Sequence, residues 1–324
     1  MRAESAQALG AFVSAAQADH TAALAGLGLG DLRAIYTVAR GSSDAAATIL
    51  AYEFMAVLGL PVTSLPPSIF SLGRGVDMTG VVALLVSQSG GSDDLVRTAR
   101  GIGTNGGTVI ALTNQPGSPV ERVCNLTLPI GAGPELAVPA TKSVTGAIGA
   151  GLALLRAFAP GYAPRLAAVC ARIEALDELP AQAAMQDALI GSAGRPVYII
   201  GRGAGYGAAQ ETALKIKECC AIHAEAYSAS EVLHGPLQLA TKSLIAVLLD
   251  TGNEEIQDSL DTAQNRLEAS GGTVMRLRAP AGLVGAPAAA YLLAMIYPAI
   301  LEASLALGHD PDRPSILSKV TQTT

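Results

Sequence analysis

Val81 to Val86 is an unbroken apolar run with polar residues soon after it. Similar runs recur at Leu32–Val38, Val62–Leu65, Thr108–Leu112 and Asn125–Pro129, and again at 196–200, 244–249 and 273–277. The runs are continuous rather than alternating. That pattern suits strands buried on both faces, as in parallel sheets covered by helices. Stretches with helical spacing lie between them, at 44–58, 92–102 and 140–158, then at 206–219, 255–269 and 287–305. An Ala-rich segment at 3–28 reads as one N-terminal helix. Residues 159–192 carry Pro160, Pro164 and Pro180 around a helical segment and read as a connection. The tail, 306–324, holds Pro311 and Pro314 and too few apolar residues to pack alone. It is expected to be disordered or folded over something.

The pattern is written twice. YTVARGSSDAAA at Tyr36–Ala47 is matched by YIIGRGAGYGAA at Tyr198–Ala209, and GTVIAL at Gly107–Leu112 by GTVMRL at Gly272–Leu277. A repeated strand–turn–helix unit predicts two similar α/β domains in tandem. The expected boundaries are 1–28 for the N-terminal helix, 29–160 for the first domain, 161–192 for the connection, 193–305 for the second domain and 306–324 for the tail.

The copies differ where chemistry would sit. After its third apolar run the first has Ser87-Gln88-Ser89-Gly90-Gly91-Ser92; the second has Asp250-Thr251-Gly252-Asn253-Glu254-Glu255. Hydroxyls and an amide at a strand-to-helix junction suit an anion, because free backbone N–H groups and the helix dipole already point there. A plain Gly/Ser turn with Ser92 as helix cap is the alternative. Ser42 and Ser43, at another strand end of the same sheet, strengthen the anion reading. The first copy lacks the lysine of a Walker loop. The second spells G-x-G-x-G-x-G from Gly201 to Gly207, which is out of register with a dinucleotide fingerprint.

Composition narrows the possibilities. The chain has 324 residues, half of them apolar, with 4% aromatics, no Trp and a formal net charge of −6. Few aromatics and an acidic balance disfavour a nucleic-acid partner. Cys124, Cys170, Cys219 and Cys220 form no metal pattern and are expected to be reduced thiols of a cytoplasmic protein. No signal peptide is expected, nor an apolar run of about 20 residues with polar flanks, so no membrane span is predicted.

Polar residues concentrate between Glu211 and His234. Lys215 and Glu218 share a helix face at three-residue spacing. Glu211 and Lys217 read as a solvated face with helix-supporting pairs. His223-Ala224-Glu225 and Glu231 to His234 read as loop beyond the helix end, where functional side chains concentrate.

Taken together, Gly41-Ser42-Ser43, Ser87-Gln88-Ser89-Gly90 with Ser92, Ala140-Thr141-Lys142-Ser143, Ala213-Leu214-Lys215 to Glu218, His223 to Ala226, Glu231 to Pro236 and the tail Leu317-Ser318-Lys319-Val320 resemble the sugar isomerase (SIS) domain family over residues 30 to 324. Within it, the chain resembles the isomerase half of glutamine–fructose-6-phosphate aminotransferase and stand-alone glucosamine-6-phosphate deaminases. The resemblance implies two tandem SIS domains, each a parallel-sheet α/β sandwich of flavodoxin-like type. By it, Ser42, Ser43, Ser87, Gln88, Ser89 and Ser92 hold a sugar phosphate, and Val138 and Ser318 adjoin the substrate. Glu218 moves the proton between C1 and C2, with Lys215 beside it. His234 opens the sugar ring from the neighbouring subunit of a homodimer, and Lys319 closes over the site. No metal or cofactor is implied.

Three departures stand out. Gly91 replaces a frequent Glu, Ala140 replaces a substrate-touching Ser, and the glutaminase half with its N-terminal Cys has no counterpart. The expected activity is therefore isomerisation of an amino sugar phosphate with release of ammonia. A non-catalytic sugar-phosphate sensor is the alternative. Such sensors carry a DNA-binding module ahead of the sugar domain, and only about 30 residues precede the first strand here.

Overall fold

The computed structural model describes residues 1–192, 194–241 and 243–319. Val320 of the tail motif, with the rest of the tail to Thr324, lies outside the described residues. Among the described residues, nine strands form two parallel sheets. The first contains β1 (Ala34–Val38), β2 (Val62–Ser64), β3 (Val81–Ser87), β4 (Thr108–Thr113) and β5 (Leu126–Pro129), in the order β2-β1-β3-β4-β5. The second contains β6 (Val197–Gly201), β7 (Ala224–Ser228), β8 (Ile245–Asp250) and β9 (Thr273–Arg278), in the order β7-β6-β8-β9. In each sheet the chain starts on a central strand, adds one neighbour on one side and then crosses to the other. The reversal falls between β1 and β3 in the first sheet and between β6 and β8 in the second. Open parallel sheets bind ligands at the carboxyl ends of strands flanking such a reversal.

Every residue of β8 is buried, as are all but the first of β3, which explains their unbroken apolar sequence. One apolar cluster runs through the helices lying between the sheets and includes Leu50, Leu152, Ile216 and Leu292. Small residues let these helices meet closely. A Cβ on Gly207 would lie 2.6 Å from Ile49 Cγ1 and 2.8 Å from the Ala45 carbonyl oxygen. That contact seats helix Ala204–Cys220, which follows β6, against helix Gly41–Leu58, which follows β1. The two helices carrying the candidate chemistry are thereby held side by side.

Several expectations need correction. The single N-terminal helix is broken into Arg2–Ala6, Ala8–Gln17 and Thr21–Ala25. Its breaks fall at Gln7 and at the polar stretch Ala18–His20, with Ala18 extended. The connection at 161–192 holds two helices, Ala163–Glu174 and Ala183–Ile190, in keeping with the helical segment expected there. Residues 224–228 form edge strand β7 rather than loop, paired in register with β6. The AEAYS sequence is half-polar because an edge strand is only partly covered. Helix Ala286–Ala306 has the length and hydropathy to cross a membrane, but 83% of its most apolar window is buried inside the protein.

Candidate active site

The chain after β1 leaves Arg40 extended and turns at Gly41, whose φ of +54° favours glycine. Helix Gly41–Leu58 starts there, so Ser42 and Ser43 occupy its first turn, with the Ser43 N–H donating to the Arg40 carbonyl at 3.1 Å. After β3 the loop Ser87–Ser92 folds back on itself. Ser87 Oγ accepts the Gly90 N–H at 3.1 Å and Ser89 Oγ accepts the Gly91 N–H at 3.3 Å. Gly90 has φ +57°, and a Cβ there would lie 2.3 Å from Ser118 Oγ, so only glycine fits without rearrangement. Ser92 occupies the N-cap position of helix Asp93–Thr104, yet its hydroxyl makes no capping bond.

These two helix starts line one cavity of about 360 Å³. Its walls include Ser42, Ser43, Ser87, Gln88, Ser89 and Ser92, together with Val138, Glu218 and Lys319. Nine residues singled out in the sequence, from five separate segments, therefore converge. Ser318 precedes Lys319 in the tail but does not line the cavity. His234 lines a different cavity, with Leu237, Thr241 and Arg266. Within one chain the structure does not bring His234 to Glu218.

Beneath the cavity lies an ionic network. Lys215 is fully buried; its Nζ donates to Ser42 Oγ at 2.8 Å and to Glu218 Oε2 at 2.5 Å, and lies 3.4 Å from Glu211 Oε1. Lys215 thus ties the first-domain helix to the carboxylate that faces the cavity. Burial pulls its ammonium pKa down, but the carboxylates of Glu211 and Glu218 outweigh this and hold it above the ordinary lysine range. It stays a cation. Glu218 remains partly open, with 23% of its side chain exposed.

The reading of Glu211 as a solvated residue fails. It is fully buried, accepts a hydrogen bond from the Tyr297 hydroxyl at 3.3 Å, and burial pushes its pKa up to about 7. The available signal was its (i, i+4) spacing to Lys215 on an otherwise apolar helix face. Lys217, by contrast, is exposed as expected.

Sequence reasoning also passed over Glu135. Its buried carboxylate accepts the Thr141 and Ser143 N–H groups at 2.9 and 3.1 Å and the Ser143 hydroxyl at 2.5 Å. It also lies 3.6 Å from Lys319 Nζ, which donates to the Ala137 carbonyl at 2.5 Å. The tail is accordingly folded over the first domain, and Glu135 anchors it. Nothing in the local string Gly133-Pro134-Glu135 signals that partner 184 positions away.

Comparison with known proteins fits this arrangement. The SIS domain family profile matches residues 29–157 and 192–278. Glutamine–fructose-6-phosphate aminotransferase of Symbiobacterium thermophilum is 33% identical over 72% of this chain and 40% of its own length. The Aeropyrum pernix enzyme of the same name is 33% identical over 81% of this chain and 46% of its own length. The chain therefore spans less than half of these curated relatives. A Silicibacter pomeroyi structure assigned as a phosphosugar isomerase superposes with a TM-score of 0.84 at 33% identity, covering 96% of this chain and 99% of that one. Glucosamine-6-phosphate deaminase of Thermotoga maritima shares the fold, with a TM-score of 0.77 at 19% identity over 99% of both chains. Two parallel sheets of flavodoxin-like order, two profile segments and relatives of this identity lead to one statement: the chain belongs to the SIS domain family.

Proposed function

We propose that the chain is an amino sugar phosphate deaminase, converting glucosamine-6-phosphate and water to fructose-6-phosphate and ammonia. The observation that carries this reading is the convergence of Glu218 with a hydroxyl-lined pair of helix starts in one cavity, backed by the Lys215 cation. The helix starts hold the phosphate through backbone N–H groups and Ser hydroxyls. With the sugar ring open, the aldehyde at C1 acidifies the C2 proton. The Glu218 carboxylate takes that proton and returns it to C1, passing through an enolamine to the ketimine. Lys215 stabilises the oxygen that gains charge. Water adds at C2 and ammonia leaves.

Ring opening needs a group that can both give and take a proton, and the His234 imidazole supplies one. Since His234 lies away from Glu218 in its own chain, we read the unit as a homodimer in which each site takes His234 from its neighbour. Residues 29–160 then form the phosphate-holding domain, 193–305 the second domain and 306–324 the segment that closes the site. Mixing Glu218→Gln with His234→Ala subunits tests the sharing: exchange restores activity in mixed dimers, and no recovery despite exchange places His234 in its own subunit's site.

The direct test is to incubate the protein with glucosamine-6-phosphate and assay ammonia and fructose-6-phosphate together. No ammonia, with tight binding of the sugar phosphate, leaves a non-catalytic sensor. Ammonia from galactosamine-6-phosphate, or free amine from a fructosyl-amine-6-phosphate, in preference to glucosamine-6-phosphate keeps the chemistry and changes the sugar.

A further inference from the structure

Arg40 is the residue of this cavity that the reading above leaves without a task. The hydroxyls and amides of the Ser87–Ser92 loop are neutral, and that loop contains no Lys or Arg. Arg40, the last residue before helix Gly41–Leu58, lines the cavity beside Ser42, Ser43, Ser87 and Ser89. Its guanidinium is held from one side only. Nε and Nη2 donate to a single oxygen, Asp94 Oδ2, at 3.0 and 2.8 Å. Asp94 is fully buried in the first turn of helix Asp93–Thr104, and its other oxygen accepts the Leu95 N–H at 2.9 Å. The clamp leaves Nη1 without a described protein acceptor, while half of the arginine side chain remains open. A guanidinium fixed by one edge presents its remaining donors in a set direction, the arrangement that suits a phosphate oxygen.

The repeat supplies an independent comparison. Arg202 occupies the equivalent place before helix Ala204–Cys220. There Nη1 is consumed, donating to Ser228 Oγ at 3.0 Å and Ser230 Oγ at 2.6 Å. The neighbouring strand end holds a carboxylate, Asp250, in place of Ser87. Where the protein supplies its own anion, this arginine is tied to neutral hydroxyls; in the first copy Nη1 has no acceptor among the described residues.

We propose that Arg40 is a phosphate-reading residue, with Asp94 its positioning residue, and that it sets the preference for phosphorylated over unphosphorylated sugar. The inference rests on the phosphate site proposed above, and it is tested by binding so that the two stand or fall separately. Isothermal titration with fructose-6-phosphate and with inorganic phosphate is run on the full chain and on Arg40→Gln. Arg40→Gln is expected to weaken both by tenfold or more, which is about 1.4 kcal/mol at 25 °C, and to raise KM for the phosphorylated amino sugar with kcat within about twofold. The loss is expected to be smaller for the unphosphorylated amino sugar than for the phosphorylated one, a difference that a merely structural arginine would not produce. Arg40→Lys retains charge without the fork and is expected to fall between. It also serves if Arg40→Gln does not fold. Asp94→Asn keeps the cation, loosens its aim, and is expected to lose affinity for phosphate several-fold. Wild-type affinity in both arginine variants, or equal losses with and without the phosphate group, overturns the proposal. If the unaltered protein binds neither ligand, the phosphate site itself fails.

Discussion

The carboxyl end of β3 and the carboxyl end of β8 hold the same position in two sheets of matching order, beside the reversal of strand order, and they treat negative charge in opposite ways. β3 ends at Ser87 and is followed by Gln88 and Ser89, and all three line a cavity. After β8 the carboxylate of Asp250 is fully buried. It accepts from Arg276 Nε and Nη2 at 3.1 and 2.9 Å, from Arg278 Nε at 2.8 Å, from Gln257 Nε2 at 3.0 Å and from the Gly252 N–H at 3.0 Å. The second copy fills with a side chain the place that the first leaves for a ligand. The helix starts agree: Ser42 and Ser43 in the first become Ala204 and Gly205 in the second, losing both hydroxyls. Of the two equivalent strand ends, one opens into a cavity, and the other holds an internal ion cluster that ties β8 to β9. The second domain reaches that cavity from elsewhere, through Glu218 on the helix packed across the interface, with Lys215 paired to it.

If that division holds, substitutions in the site abolish chemistry with little cost in stability, and substitutions in the cluster do the reverse. The largest effect expected is Glu218→Gln, a near-isosteric change at a partly open residue. It should lower kcat by at least about 100-fold while sugar-phosphate binding and Tm stay close to wild type. Near-normal turnover would move the search for the base to Glu225 and Glu231.

Asp250→Ala comes next. It leaves Arg276, itself mostly buried, without its central partner, and breaking such a buried pair costs about 3 kcal/mol or more. Urea unfolding should show that loss, with KM for substrate little changed in the folded fraction. A variant as stable as wild type would remove Asp250 from its bracing role.

Ser87→Ala and Ser89→Ala sharpen the other side of the comparison. Each should weaken sugar-phosphate binding by about 0.5–3 kcal/mol, the range for one lost hydrogen bond, with charged partners at its upper end. Asp250→Ser should leave that binding alone. Equal use of the unphosphorylated amino sugar by wild type would contradict the site.

The smallest effect separates two buried carboxylates by pH. Burial alone raises Asp250, but the bonds from Gln257, the Gly252 N–H and Arg278 outweigh it and hold the group below its ordinary range. Its stabilisation is present above the ordinary aspartate value and is lost as pH falls through the lowered folded value. Glu211 runs the other way. With a folded pKa raised to about 7, its contribution is full below the ordinary glutamate value of 4.5 and is lost as pH rises through 7. Melting curves at pH 5 and pH 8 should therefore show wild type losing a few degrees relative to Glu211→Gln. A constant difference would mean that Glu211 stays ionised throughout, neutralised by Lys215.

By itself the sequence determined the parallel α/β class, because strands covered on both faces must be apolar without interruption, as Val81–Val86 and 244–249 are. It determined the duplication, because each copy repeats the same run-turn-helix spacing. It also marked Ser42, Ser87, Gln88, Ser89 and Ser92, since strand-to-helix junctions rich in small polar residues are local features. Tertiary structure alone decided the rest. Glu211 looks like any surface glutamate until the approach of the two domain helices, allowed by Gly207, buries it against Lys215. Strand β7 carries no apolar run because an edge strand is covered on few sides, and only pairing with β6 makes it a strand. Glu135 reaches Lys319, and Arg40 reaches Asp94 across 54 positions, only because the sheets bring distant loops to one rim. Such contacts depend on geometry summed over the whole chain, and no local pattern of residues encodes them.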